Sequence, residues 1–290
     1  MWLLFAFGSA FFGGITAILA KRGIKKTDSD IATAVRTIIV LLFSWIMVFI
    51  AGSAQTINDI SAKTFVFLIL SGIATGASWL CYFRALQLGN VNKVVPIDKS
   101  STVLTIILAF IFLGEQITVF KAVAVVLIGI GTFLMIEKKK EPDKAPENKA
   151  WFLYAVLSAV FAALTSILGK IGIENVESNL GTAVRTCVVL VMAFIIVFIK
   201  KKQSLLKAIP KNELLFICLS GIATGASWLC FYKALKDGPA SAVVPIDKLS
   251  ILVTVGFSYP VFKEKLSLKS FIGLLMIVIG TFLMIGIPLK

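Results

Sequence analysis

Residues 1–136 of this chain return as residues 150–285, offset by 149 positions with no internal gap. The segment Leu70–Cys81 repeats letter for letter as Leu219–Cys230. Val94–Lys99 returns as Val243–Lys248, Thr33–Thr37 as Thr182–Thr186, and Gly131–Ile136 as Gly280–Ile285. The architecture is therefore one unit used twice. Each copy has room for five membrane-crossing helices at roughly 20 residues apiece. Five is odd, so the second copy is expected upside down relative to the first, about a pseudo-twofold axis in the membrane plane. Inverted duplications of this kind are frequent among secondary transporters.

The solvent follows from composition. Hydrophobic residues make up 58% of the 290, charged residues 15%, and mean hydropathy is +0.97. A soluble chain would carry roughly 25% charged residues. Spans are predicted at 2–20, 31–51, 64–87, 93–113 and 118–136, and again at 151–169, 179–199, 213–235, 242–262 and 268–287. The expected fold class is an all-α integral membrane protein, ten transmembrane helices as an inverted 5+5 repeat. Its units are a first repeat at 1–136, a basic linker at 137–149 and an oppositely oriented second repeat at 150–290. The first span lacks the basic start of a signal peptide, and its repeat partner sits mid-chain. The apolar runs are continuous rather than alternating, which favours helices over a β-barrel. Cys81, Cys187, Cys218 and Cys230 all fall inside spans, which argues against a disulfide framework or a CxxC metal site.

A net charge of +14 could point to nucleic acid, but the lysines gather in short loops beside the spans. Loops 1–2, 3–4, 5–6, 7–8 and 9–10 carry eighteen of the 29 Lys and Arg residues, and the opposite side carries six. The positive-inside rule then puts both termini outside the cytoplasm. The repeats swap charge reciprocally. Loop 1–2 holds Lys21, Arg22, Lys25 and Lys26, while its counterpart keeps only Lys170. Residues 51–62 carry no positive charge, while 200–211 carry five lysines. Such a swap would hold two near-identical sequences in opposite orientations.

Val95-Pro96-Ile97 followed by an apolar stretch ending Leu113-Gly114-Glu115, with Cys81-Tyr82-Phe83-Arg84-Ala85-Leu86 before it, resembles the EamA family of the drug/metabolite transporter superfamily. Each copy looks like the half-size EamA proteins that consist of five helices alone. The resemblance covers nearly the whole chain. It implies ten helices, a central cavity between the halves, and export or uptake of small metabolites by alternating access. The Asp98-Lys99 and Asp247-Lys248 pairs are more polar than the family's usual start to this helix. Lys263 replaces the glycine before Glu264. Full-length relatives are usually drawn with cytoplasmic termini, against the lysine distribution here.

Ionisable groups inside a span are costly and usually face protein or water. The first copy offers Arg36, Asp98 and Lys99, and the second Arg185, Asp247 and Lys248. Arg36 and Asp98 lie at similar depths of roughly 7 Å, as do Arg185 and Asp247, so depth permits Arg36–Asp98 and Arg185–Asp247 pairs. These charges are candidates for gate or substrate contacts. Structural ion pairs near the headgroups, with snorkelling lysines, are the alternative. Ser78, Trp79 and Tyr82, with Ser227, Trp228 and Tyr232, form an aromatic-plus-hydroxyl set that suits the wall of a cavity for an amphiphilic molecule. Gly72–Gly76 and Gly221–Gly225 are small-xxx-small faces for close helix packing. Pro96 and Pro245 are expected in the first turn of a helix, where the missing N–H costs little; the alternative is a break in the span that exposes carbonyls to a substrate. Glu115 and Glu264 end spans four and nine, where they are expected to bond neighbouring backbone or water.

Histidine is absent, which removes His-based acid–base pairs, Ser-His-Asp triads and His-ligated metals. No P-loop is present. The expectation is a non-enzymatic secondary transporter without cofactor or metal. It would move a small organic metabolite, such as an amino acid or drug-like amphiphile, across the cell membrane. Its partners would be that substrate and the bilayer, not nucleic acid, and pairing into homodimers stays open. A lipid-linked flippase or a non-transporting accessory subunit is the competing reading.

Overall fold

The computed structural model describes residues 1–23, 26–88, 91–136, 150–262 and 267–286. The linker 137–149 and the Lys263-Glu264 departure lie outside them. The helices of the first repeat are α1 (Trp2–Gly23), α2 (Ser29–Ile50), α3 (Ala62–Leu88), α4 (Val91–Lys99), α5 (Ser101–Phe112) and α6 (Val119–Met135). Those of the second are α7 (Ala150–Ile173), α8 (Ser178–Ile199), α9 (Lys211–Asp237), α10 (Ala240–Lys248), α11 (Ser250–Phe262) and α12 (Leu268–Ile285). Short 3₁₀ turns at Ser53–Asp59 and Gln203–Ala208 follow α2 and α8. Among the described residues, eight spans are long and apolar enough to cross a membrane, with α10 and the start of α11 counted as one. With the shorter apolar helix α6 and the α4–α5 pair they account for ten crossings, and the protein is an all-helical membrane protein. At 22 residues, α1 reaches roughly 33 Å, enough for the hydrocarbon core.

Equivalent residues start equivalent helices. The Asp28 carboxylate accepts from the amides of Asp30 and Ile31, and Glu177 does the same for Asn179 and Leu180. Thr118 and Ser267 cap α6 and α12. Each cap satisfies amides that have no partner inside the helix.

Sequence-equivalent helices run antiparallel where they meet. Lys200 Nζ, just past the end of α8, lies 2.9 Å from Asp30 at the start of α2, and Lys202 Nζ lies 2.6 Å from Asp28. The 3₁₀ turn Ser53–Asp59 that follows α2 also packs against α8. Desolvation works to raise the Asp28 pKa, yet the Lys202 ammonium and the Asp30 and Ile31 amides hold it below the ordinary carboxylate value.

The main packing is between repeats rather than within them. Helix α1 lies on α9, α3 on α7, α2 on α8, and α6 on α12. Glycines make two of these approaches close. A β-carbon on Gly72 would come within 2.7 Å of Val188 Cβ on α8, and one on Gly221 within 2.6 Å of Ile39 Cβ on α2. The small-xxx-small faces therefore pack across the repeats. Large apolar side chains such as Phe49, Phe120 and Phe198 stand exposed around the bundle, while Ser9, Ser71, Ser158, Thr182 and Arg185 are buried. Apolar surface outside and hydroxyls inside suit a chain whose solvent is lipid.

Spans four and nine are each interrupted at one residue. Helix α10 starts at Ala240, so Pro245 stands in its interior rather than in its first turn. α4 likewise starts at Val91, upstream of Pro96. The prolines do not initiate these helices. Each deprives its helix of one amide donor. Just beyond, the ladder shortens to i→i−3 bonds, from Ser100 N to Ile97 O and from Leu249 N to Ile246 O. Prolines and broken ladders of this kind are where helices bend. Asp98-Lys99 and Asp247-Lys248 end the first half of each span, immediately before the interruption.

Candidate functional site: a polar cavity between the repeats

A cavity of about 380 Å³ opens between the two repeats. Both contribute to its wall: Thr75, Ser78 and Trp79 come from α3, and Ser227, Trp228 and Tyr232 from α9. Arg185, Asp247 and Lys248 line it as well. Five of the six aromatic and hydroxyl residues predicted for a cavity wall are thus brought together. The sixth, Tyr82, is not among the lining residues and packs near Ala85, Val94 and Ala155. Tyr82 corresponds by the 149-residue offset to Phe231, which does line the cavity, whereas Tyr232 corresponds to Phe83.

The predicted ion pairs do not form. Arg36 has no hydrogen bond, ion pair or aromatic contact among the described residues, and Arg185 has no carboxylate partner. Helix interleaving explains this. Helix α2 packs on α8 and α9, while α4, which carries Asp98, packs on α7. Arginine and aspartate of one repeat are therefore drawn to different neighbours in the other.

Each aspartate instead takes a serine from the first helix of the opposite repeat. Ser158 Oγ donates to Asp98 at 2.7 Å, and Ser9 Oγ donates to Asp247 at 2.6 Å. Ser78 Oγ donates to the Ser158 carbonyl at 3.0 Å, and Ser227 Oγ to the Ser9 carbonyl at 2.9 Å. The two hydroxyl chains are copies of each other. The adjacent lysines stand at 3.9 Å from Asp98 (Lys99) and 3.7 Å from Asp247 (Lys248); both side chains are exposed, and Lys248 lines the cavity. Ser9 and Ser158 were missed in the sequence reading. Their signal was a serine at the same register in two otherwise apolar helices.

Arg185 is held differently from its counterpart. Only 2% of it is exposed. Its Nε donates to Ser71 Oγ at 3.0 Å and its Nη2 to Thr75 Oγ1 at 2.6 Å. Both hydroxyl protons are already committed, Ser71's to the Thr165 carbonyl and Thr75's to the Ser71 carbonyl, so both oxygens present lone pairs to the guanidinium. The guanidinium carbon lies 4.8 Å from the Tyr232 ring centroid and 5.1 Å from that of Trp228. Aromatic faces attract a cation at such distances.

Glu115 reaches across the repeats too. Its carboxylate accepts from the Ala240 amide at 2.6 Å and from both the amide and the hydroxyl of Ser241. It thereby caps the start of α10, where negative charge complements the helix dipole. All four cysteines are free thiols.

An all-helical bundle of antiparallel repeats around a polar cavity defines a multi-pass membrane protein of the transporter type. The EamA-like transporter family matches residues 1–137 and again 149–286, and the chain belongs to that family. An uncharacterized transporter from a Sinorhizobium species is 42% identical over 134 residues, 46% of this chain and 95% of that protein. That relative corresponds to a single repeat. An uncharacterized transporter of Bacillus subtilis is 22% identical over 159 residues, 55% of this chain and 50% of that protein. A solved crystal structure superposes with a TM-score of 0.75 at 17% identity, over 97% of this chain and 94% of that one. That likeness concerns the fold.

Proposed function

We propose that the protein is a secondary transporter that carries a small organic metabolite across the cell membrane by alternating access. The central cavity is its substrate site. The observation that carries this reading is the cavity itself: about 380 Å³, shared by both repeats, walled by tryptophans and hydroxyls with three charged residues. Small-molecule sites have this size and this mixture of apolar wall and few placed polar groups. The interrupted spans, with Asp98-Lys99 and Asp247-Lys248 just before each break, suit movement of one repeat against the other, because a broken helix bends at low cost. On this reading residues 1–136 and 150–290 lie in opposite orientations across the plasma membrane, with the basic linker 137–149 cytoplasmic and both termini outside.

A polar interior favours transport over an accessory role. The apolar groove of about 560 Å³ between α2, α3 and α8 is lined mainly by bulky residues such as Trp45, Phe65 and Ile69, with Ala62 and Cys187 the small ones, rather than by the run of small residues a lipid-linked flippase would need. Uptake and efflux in proteoliposomes, with a metabolite panel and with or without a pH gradient, tests the proposal. Saturable movement of at least one compound, abolished by Trp79→Ala plus Trp228→Ala in folded protein, is the expected result. Failure of every compound to move in either direction would oppose it.

A further inference from the structure

We infer that the cavity contains an oxyanion subsite built on Arg185, so that the molecule it accepts carries a carboxylate or a phosphate group. This rests on the reading of the cavity as the substrate site and names the chemistry that site would take.

Among the described residues, the buried side-chain nitrogen or oxygen left without a hydrogen-bond partner is Nη1 of Arg185. Its other two nitrogens each donate a hydrogen bond, Nε to Ser71 and Nη2 to Thr75, and those hydroxyls are fixed by their own backbone acceptors. The side chain is therefore held in place before any ligand arrives. A guanidinium does not lose its proton in a protein, so the buried charge persists. Rings supply attraction on its faces, from Trp228 and Tyr232, but no hydrogen-bond acceptor at Nη1. An unpaired buried donor is costly, and a charged one more so.

The charges lining the cavity point the same way. Among the described lining residues, Arg185 and Lys248 are cationic and Asp247 is the single carboxylate. Asp247 is already committed to Ser9 at 2.6 Å and lies 3.7 Å from Lys248. What remains uncompensated is one positive charge, on the residue whose free nitrogen needs an acceptor. An oxyanion supplies both the charge and the lone pair, and charge-assisted bonds to arginine are among the stronger ones. The flanking indole and phenol then favour an apolar or aromatic body behind the anionic head.

The purified full chain in detergent tests this with four probes on one skeleton: 3-phenylpropionate, phenylalanine, phenyl phosphate and 3-phenylpropylamine. Binding is read by quenching of tryptophan fluorescence and by thermal shift. Oxyanion-bearing probes are expected to saturate, and the amine to bind at least about 10-fold more weakly, the value of one charge-assisted hydrogen bond. The carboxylate and phosphate arms distinguish the two headgroups. Arg185→Gln is expected to remove that discrimination, and Arg185→Lys to weaken it while keeping the charge. Discrimination in the unmodified protein does not depend on whether a variant folds. Equal or tighter binding of the amine, no response to any oxyanion, or discrimination that survives in folded Arg185→Gln would each overturn the inference. Transport in proteoliposomes of a metabolite that bears neither a carboxylate nor a phosphate would overturn it too, while leaving the cavity's transport role intact.

Discussion

Arg36 and Arg185 occupy the same place in the same repeated sequence, and their surroundings differ. Arg185 is buried against Ser71, Thr75, Trp228 and Tyr232, and it lines the cavity. Arg36 is only partly buried, lines no part of that cavity, and contacts none of the corresponding groups among the described residues. The hydroxyls that would receive it, Ser220 and Thr224, donate to the Ile217 and Ser220 carbonyls as their counterparts donate to carbonyls, yet among the described residues neither accepts from Arg36. By contrast, the serine–aspartate chains and the glycine contacts are nearly identical in the two halves. Packing thus obeys the duplication, while the arginine site departs from it. Function in a duplicated chain is expected where the symmetry is broken.

The largest expected effect separates the two arginines. Arg185→Gln should lower the transport rate at limiting substrate by about 10–100-fold, the scale of a lost charged hydrogen bond of about 1.5–3 kcal/mol. Arg36→Gln should lower it by no more than about threefold, as for a group without specific partners. Equal losses would erase the contrast. The glycine faces should behave alike instead. Gly72→Val and Gly221→Val should each cost about 1–3 kcal/mol in thermal unfolding in detergent, because each forces a side chain into a facing helix. A large difference between them would show that packing is asymmetric too.

Next come the serines. Ser9→Ala and Ser158→Ala each remove the hydroxyl donor of an aspartate, worth about 1 kcal/mol of stability. Transport should suffer more from Ser9→Ala, because Asp247 lines the cavity and Asp98 does not. The smallest effect is expected at the ends of α2 and α8. Lys202→Ala should cost about 0.2–1 kcal/mol, as partly exposed ion pairs do. The native Asp28 pKa lies below the unfolded one, so the contribution is complete at neutral pH. It is lost only as the pH falls past the ordinary carboxylate value and through the lowered one. A pH scan of unfolding should therefore show Lys202→Ala and the unmodified protein converging in acid.

The spans were legible because each is a continuous apolar run, and the glycine faces because close helix contact leaves room for little else. The interruptions at Ser100 and Leu249 correspond to the second of two readings of Pro96 and Pro245, a broken span. Prolines also fit a helix start, and the sequence does not mark the residue at which the ladder breaks. The ion pairs were misassigned for a topological reason. Depth along a helix can be counted from sequence, but Arg36 and Asp98 face different helices of the other repeat, and no count within one repeat reveals that. The tyrosines illustrate a finer loss. Grouping Tyr82 with Tyr232 overlooked a one-residue offset, which turns a helical side chain by about 100°. Ser9 and Ser158 were visible as a repeated polar register, and only their partners were hidden.

The most direct test of the account is the sidedness of two residues that precede the same helix in each repeat. Ser29 and Asn175 are both exposed, ahead of or at the start of α2 and α8. With the four native cysteines replaced by serine, Ser29→Cys and Asn175→Cys would be probed in intact cells with a membrane-impermeant thiol reagent. Antiparallel repeats across the bilayer predict labelling of one of the two from outside and protection of the other until the cells are opened; with both termini outside, as proposed, Asn175→Cys is the one labelled. Labelling of both from the same face would contradict the account.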